Sequence, residues 1–169
     1  MGSDDGRSSV KVQYTREVLD LIDIINEVLQ ELGKPKIFEN CDITVDKTSF
    51  DALLILHFNK QNRRSLYMVV SAVDVEILVE RLVEFFWWSY DEVKKDRTEM
   101  KASLTMLLTS MVREEQYGSN YTEMYFYDDK GECVYMLDQA TCLLPRFLLK
   151  RFKHKTVLYE PFYEMPVSS

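Results

Sequence analysis

Side chains that could perform catalysis are few in this chain. It has two histidines, His57 and His154, and three cysteines, Cys41, Cys133 and Cys142. A cysteine hydrolase needs a thiolate activated by a base and donors that stabilise an oxyanion, and no glycine-rich turn before a helix supplies such donors. The sequence contains no phosphate loop, dinucleotide fingerprint or metal-ligand spacing. We therefore expect no catalytic residue, no metal and no cofactor, with a cysteine enzyme of unrecognised type as an alternative.

The densest aromatic stretch covers residues 85–88, with the sequence FFWW. Apolar residues recur at helical spacing over 74–93, so we expect these aromatics on a helix. Rotation of about 100° per residue places Trp88 away from the main apolar stripe of that helix. Either a neighbouring helix or a partner must cover it, and large aromatics are common anchors of interfaces. We predict a partner-binding surface made of Ile77, Arg81, Phe85, Trp87 and Trp88.

A basic cluster occupies residues 146–155. Five of the 21 Lys and Arg residues lie there without an acid, so the other 16 stand against 28 Asp and Glu, a net charge of -12. Such a cluster could bind phosphate, an acidic partner or an anionic surface. It could equally complement a helix dipole or neutralise the acids of the first helix. The predicted anion-binding residues are Arg146, Lys150, Arg151, Lys153 and Lys155.

Tyrosines are concentrated in one predicted hairpin. Aromatic side chains on an open sheet can stack on unpaired bases. Acids such as Glu123 and Asp128 lie among them, where a nucleic-acid site would carry cations, and tyrosine is also a good strand former. We therefore rank base stacking below a structural role for these aromatics, which are Tyr117, Tyr121, Tyr125, Phe126, Tyr127 and Tyr135.

Hydrophobic periodicity predicts an α+β fold with a mostly antiparallel sheet and helices packed on it. The predicted order is helix, three strands, two helices, two strands, helix and a short last strand. Thr15 is expected to cap the first helix and Gly33 to end it, while the third helix should run to Gly118. Pro145 should open the last helix, whose apolar side we assign to Leu144, Phe147, Leu148 and Phe152.

The length of 169 residues and a hydrophobic fraction of 46% suit one globular domain. We place it at residues 14–160, between a disordered tail at 1–13 and an irregular tail at 161–169. The odd number of cysteines and the absence of an apolar signal or membrane segment predict an intracellular protein, cytoplasmic or nuclear, without integral membrane association.

These features together favour binding over catalysis. We predict a non-catalytic protein-interaction domain, an adaptor, chaperone or complex subunit, that binds another protein or a second copy of itself as a homodimer. An anion-binding module that uses the basic last helix to hold nucleic acid or another anionic surface is the alternative.

Overall fold

The computed structural model describes residues 14–47, 53–58, 66–79 and 86–164. Their elements form a mixed α+β fold with two antiparallel sheets and four helices, which confirms the predicted class. The predicted tail at 1–13 lies outside the described residues, as does the end of the C-terminal tail. No helix in the described part of the chain is long and apolar enough to cross a membrane.

The first helix, α1, spans Arg16–Glu31 and confirms its predicted start and stop. The Thr15 hydroxyl accepts a hydrogen bond from the Val18 amide at 3.3 Å, the usual role of a threonine N-cap. At the other end Gly33 adopts a φ of +68°, and the amides of Gly33 and Lys34 donate back into the last turn. Glycine suits this left-handed position because it has no Cβ.

The first sheet contains five antiparallel strands in chain order: β1 (Ile43–Lys47), β2 (Leu53–Phe58), β3 (Leu66–Val70), β4 (Asp74–Val79) and β5 (Phe86–Ser89). In β3, buried side chains alternate with half-buried ones, as expected for a sheet with one face on the core. A 3-10 turn, Ile37–Glu39, connects α1 to this sheet. The predicted central strand at 50–58 corresponds to β2.

The helix predicted over residues 74–93 is wrong for most of its length. β4 and β5 pair antiparallel, with Asp74 opposite Ser89 and Ile77 opposite Phe86, and among the described residues of this segment only those of α2 (Tyr90–Lys95) are helical. The alternating Val75 and Ile77 side chains fit a strand with one buried face, and β-branched residues favour strands. The structure therefore follows the alternation of buried side chains along a strand, although the same apolar residues also fit a helical spacing.

The helix predicted to end at Gly118 is likewise too long. α3 spans Thr98–Thr109, and residues 111–117 form a strand instead. The second sheet has the strand order β8-β7-β6-β9, built from β6 (Met111–Tyr117), β7 (Tyr121–Tyr127), β8 (Cys133–Ala140) and β9 (His154–Tyr159). The predicted short last strand is β9. A single helical turn, α4 (Arg146–Leu149), lies between β8 and β9.

One hydrophobic cluster includes residues of both sheets, α1, α2 and α3. α1 packs beside α3, and the Phe86 ring of the first sheet lies 5.3 Å from the Tyr135 ring of the second. Tyr163, in the segment predicted as an irregular tail, is buried, and its hydroxyl accepts a hydrogen bond from the Asn40 amide at 3.0 Å. The packed part of the chain therefore extends past residue 160.

Candidate functional site

The structure distributes the residues of the predicted partner-binding surface between core and solvent. Ile77 and Trp88 are buried in the hydrophobic core, where Phe86 stacks on Trp88 with ring centroids 5.4 Å apart. These two side chains lie elsewhere than predicted because successive side chains of β4 and β5 point to opposite faces of the sheet, whereas a helix was expected. Trp87 is 57% exposed on β5, the edge strand of the first sheet. Arg81 and Phe85 lie outside the described residues.

The segment 141–153 crosses one face of the second sheet between β8 and β9, and we call it the strap. Its ends are tied by backbone hydrogen bonds: the Thr141 amide donates to the Asn120 carbonyl at 2.9 Å and the Gly118 amide to the Lys153 carbonyl at 2.8 Å. Leu149 is buried, and a Cβ at Gly118 would lie 3.4 Å from Cβ of Phe152. The strap therefore lies close against the sheet.

Two ion pairs attach the middle of the strap to the sheet. Lys150 Nζ lies 2.6 Å from Oε1 of Glu123, and the Arg146 guanidinium lies 2.8 Å from Asp138. Glu123 on β7 and Asp138 on β8 are directly opposite each other in the strand register. Arg146 and Lys150 lie one helical turn apart, so α4 reaches both strands with one face.

Glu123 is a buried carboxylate with several donors. Besides Lys150, it accepts hydrogen bonds from the hydroxyls of Tyr121 at 2.8 Å, Tyr125 at 3.0 Å and Tyr117 at 3.3 Å. Burial raises the pKa of the Glu123 carboxyl, but the hydrogen bonds from Lys150, Tyr121 and Tyr125 outweigh it and hold that pKa below its usual value. Glu123 is therefore a charged group at neutral pH.

The tyrosines around Glu123 respond in the opposite sense. Burial, followed by the hydrogen bond to the Glu123 carboxylate, raises the pKa of Tyr125 to about 12 and also raises that of Tyr121. The hydrogen bond to Glu123 likewise raises the pKa of Lys150. All four groups are thus fixed in one protonation state across the physiological range, which suits charge recognition and offers no proton donor or acceptor near neutrality.

A second polar cluster lies on the same face beside Glu123. The Glu115 carboxylate contacts the His154 ring and accepts a hydrogen bond from the Thr156 hydroxyl at 2.6 Å, and Arg113 Nε lies 3.1 Å from it. Burial raises the pKa of Glu115, yet the hydrogen bonds from Thr156 and His154 prevail and lower it. His154 also stacks on Tyr117, with nearly parallel rings 4.8 Å apart. The cluster ties β9 to β6.

The outward side of the strap is apolar. Leu143 is fully exposed, Phe147 is 66% exposed, and Leu144 and Phe152 are each nearly half exposed. The predicted apolar side of the last helix therefore does not face the core, except through the half-buried Leu148. Large apolar side chains point to solvent while the charged Arg146 and Lys150 pair with the sheet. This is the reverse of the polarity expected for a surface segment.

The predicted anion-binding residues separate into two groups. Arg146 and Lys150 pair with Asp138 on β8 and Glu123 on β7, and not with the acids of α1 considered as an alternative. Arg151, Lys153 and Lys155 are exposed along the end of the strap and the start of β9. Arg151 and Lys153 flank the exposed Phe152 in sequence, so they are exposed cations of the strap that a partner could contact.

The tyrosine-rich hairpin has a function in the structure that sequence reasoning missed. Tyr117, Tyr121 and Tyr125 surround Glu123, whereas Phe126 lies in the core on the other face of the sheet. The period-two spacing of tyrosine, glutamate and tyrosine at 121, 123 and 125 could have indicated this grouping, since residues two apart share a face. The acidic residues among these tyrosines could have indicated that a cation lies beside them.

A separate cleft of about 650 Å³ lies between α3 and the turn that joins β7 to β8. Its lining combines the hydroxyls of α3, the methionine Met106, the ammonium of Lys101 and the carboxylates of Asp128 and Asp129. The Thr105 and Thr109 hydroxyls donate to carbonyls of their own helix at 2.8 Å. Among the described residues no group of three or more His, Cys, Asp and Glu could hold a metal ion.

Comparison of the chain with protein-family models, curated proteins and solved structures found no match in any of the three.

Proposed function

We propose that this chain is a non-catalytic protein-interaction domain, an adaptor, chaperone or complex subunit, that binds a partner through the outward side of the strap. The observation that carries the proposal is the reversed polarity of the strap, with Leu143, Leu144 and Phe147 exposed while Arg146 and Lys150 pair with the sheet. Exposed apolar side chains gathered in one short segment are typical of interaction sites.

Covering these side chains would supply favourable free energy. Full burial of a leucine or phenylalanine side chain contributes about 1.5–3 kcal/mol relative to exposure. The strap is also held at both ends and in its middle, so a partner would meet a segment that is already ordered. Pre-ordering reduces the entropic cost of association.

The charges beside the apolar patch favour an acidic partner. Arg151 and Lys153 flank Phe152 in sequence and, like Lys155 on β9, are exposed, and no acid lies between residues 146 and 155. Complementary charge at the rim of an interface raises the association rate and selects against basic partners. The rest of this chain is strongly acidic, so a second copy also meets this requirement and a homodimer belongs within the proposal.

An anionic surface is the second candidate. Exposed leucines and phenylalanine beside lysine and arginine are typical of segments that lie on anionic membranes or contact phosphate backbones. In both readings the domain works inside the cell, in cytoplasm or nucleus, where its three cysteines stay reduced.

The test compares Phe147→Ser with Phe38→Ser, since Phe38 is similarly exposed at 63% on another part of the molecule. Solution mass by light scattering and quantitative capture from cell extract would be measured for both variants and for the unchanged chain. We expect Phe147→Ser to lose association that Phe38→Ser keeps. Equal association by all three proteins would refute the strap as the binding side.

A third variant, Trp87→Ser, examines the surface predicted from the sequence. Loss of association in Trp87→Ser with retention in Phe147→Ser would move the binding surface to the edge strand β5. Flotation with anionic and neutral vesicles at low and high salt, together with titration of single-stranded nucleic acid, addresses the second candidate. Salt-sensitive binding to either anionic probe, in the absence of a protein partner, would favour it.

A further inference from the structure

The Glu123 carboxylate and its three tyrosines form a pocket for a positive charge on the face of the second sheet. We propose that Glu123, Tyr117, Tyr121 and Tyr125 are an ammonium-binding site, that Lys150 of the strap occupies it in this structure, and that it takes the lysine side chain of a partner when the strap lifts. Lys150 lies 2.6 Å from the carboxylate, which shows that a primary ammonium fits.

The three tyrosine hydroxyls leave one acceptor position of the Glu123 carboxylate for a cation. Oε2 of Glu123 accepts from Tyr125 and Tyr117, and Oε1 accepts from Tyr121, while Lys150 takes the remaining position on Oε1. A carboxylate has about four acceptor positions in all. The tyrosines therefore hold the anion in place whether or not the cation is present.

The arrangement selects a primary ammonium over other cations. An arginine guanidinium binds carboxylates best through both oxygens, but the Oε2 oxygen of Glu123 is already used by Tyr125 and Tyr117. A quaternary ammonium has no N–H to donate, so it cannot form the short contact that Lys150 makes. The ring of Tyr117, with Lys150 Nζ 5.7 Å from its centroid, adds attraction for any compact cation.

Lys150 is placed so that it can leave this pocket. Its side chain is 44% exposed, whereas that of Glu123 is only 6% exposed, so the anion stays in the sheet while the cation reaches water. The middle of the strap is attached by these ion pairs together with the buried Leu149 and the half-buried Leu148. Lifting the strap would therefore break both ion pairs and expose Leu149.

This site lies under the strap, and the surface in the proposed function lies on its outward side. The two can be tested separately, because the ammonium site concerns Glu123 and its donors alone. A failure of Phe147→Ser to alter association leaves the ammonium site unaffected.

Lys150→Ala with n-butylammonium as the probe tests the proposal. A ligand that binds only the folded state raises the melting temperature, so we expect n-butylammonium to raise that of Lys150→Ala. The double variant Lys150→Ala with Glu123→Gln should bind about tenfold or more weakly, as loss of a hydrogen bond to a charged group implies. Tetramethylammonium at the same concentration is the matched control and should act as sodium does.

An equal response of Lys150→Ala to n-butylammonium and tetramethylammonium would overturn the proposal, as would no response to either. A second measurement on the unchanged chain removes dependence on the folding of the variant. In protein with ¹³C-labelled lysine, n-butylammonium should shift the Lys150 Cε signal towards those of exposed Lys153 and Lys155, with no shift in tetramethylammonium. An unmoved Lys150 signal at a saturating concentration would count against a displaceable ligand.

Discussion

The α1–α3 pair and the strap are both attached to the rest of the domain, but their apolar and charged side chains are arranged in opposite ways. α1 buries one continuous apolar side, including Leu21, Ile25 and Leu29, and its ion pairs with α3 are on the surface. The strap buries Leu149 and directs its ion pairs at the sheet, while its larger apolar side chains face solvent.

The difference separates an element held by apolar burial from one that we propose contacts a partner. Apolar burial is non-directional and is not weakened by salt, so a segment held that way stays in place. The ion pairs of the strap join exposed cations to carboxylates of the sheet, and this exposure leaves them open to competing ions. The strap is therefore held in part by contacts that salt or a competing cation can weaken.

Leu29→Ala against Leu143→Ala gives the largest expected contrast. Leu29 is completely buried on α1 and Leu143 is completely exposed on the strap. We expect Leu29→Ala to lower the free energy of unfolding by about 2–5 kcal/mol, because it removes packed methyl groups and leaves a cavity. Leu143→Ala should change it by less than about 0.5 kcal/mol. Urea denaturation measures both, and a large loss in Leu143→Ala would show that its side chain packs inside the domain.

Glu123→Gln should have an intermediate effect that depends on pH. At neutral pH we expect a loss of about 1–3 kcal/mol in the free energy of unfolding, since hydrogen bonds to a charged group are stronger than neutral ones. The pKa of Glu123 is lowered on folding, so its contribution is complete above the unfolded value of about 4.3 and disappears as the pH falls through the lower folded value.

The free energies of unfolding of the unchanged chain and of Glu123→Gln should therefore converge in acid. Denaturation of the unchanged chain and of Glu123→Gln between pH 7 and pH 3 should show a difference that is constant above pH ~5 and shrinks below pH ~4. Asp91→Asn is the control, because its carboxylate is exposed and, within the part of the chain that the structure describes, pairs with Lys94. A difference that widens in acid would mean that Glu123 is protonated in the folded state.

Glu27→Gln should give the smallest effect. Glu27 pairs with Arg97 at 2.8 Å and with Lys101 at 3.3 Å, but its side chain is 41% exposed. Partly exposed ion pairs contribute about 0–1 kcal/mol, and salt weakens them further. The free energy of unfolding in low and high salt measures this. A loss as large as that of Glu123→Gln would erase the distinction between surface and strap ion pairs.

The parts of the fold that could be predicted were those with local signals. Thr15 and Gly33 mark the ends of α1 through hydrogen bonds made within a few residues, and the apolar stripe between them has a single period. The segment 74–93 failed because Val75, Leu78 and Val79 fit a helical period, while Val75 and Ile77 also fit a strand. Pairing with β3 decided between them.

The ion pairs of the site join residues that are far apart in sequence, which no local pattern encodes. Arg146 and Lys150 could be grouped from their spacing, but their acids lie far away in sequence, on β7 and β8. α4 has one turn, which is too short for its apolar side to be assigned from periodicity, and Leu149 rather than Phe147 is the buried residue. Tertiary pairing alone brought the tyrosines and Lys150 together.

The ion pairs of Arg146 and Lys150 also oppose sliding of β7 along β8. Arg146 and Lys150 are about 6 Å apart along the helix axis, and adjacent strands are about 4.8 Å apart, so one helical turn spans β7 and β8. Sliding β7 along β8 would pull Glu123 away from Asp138, its direct partner in register, and stretch both ion pairs at once. The hairpin already carries an irregularity between Phe126 and Tyr127, where slippage would begin. If the strap were released, β7 and β8 would thus slide past each other more easily, although the other face of this hairpin lies in the core.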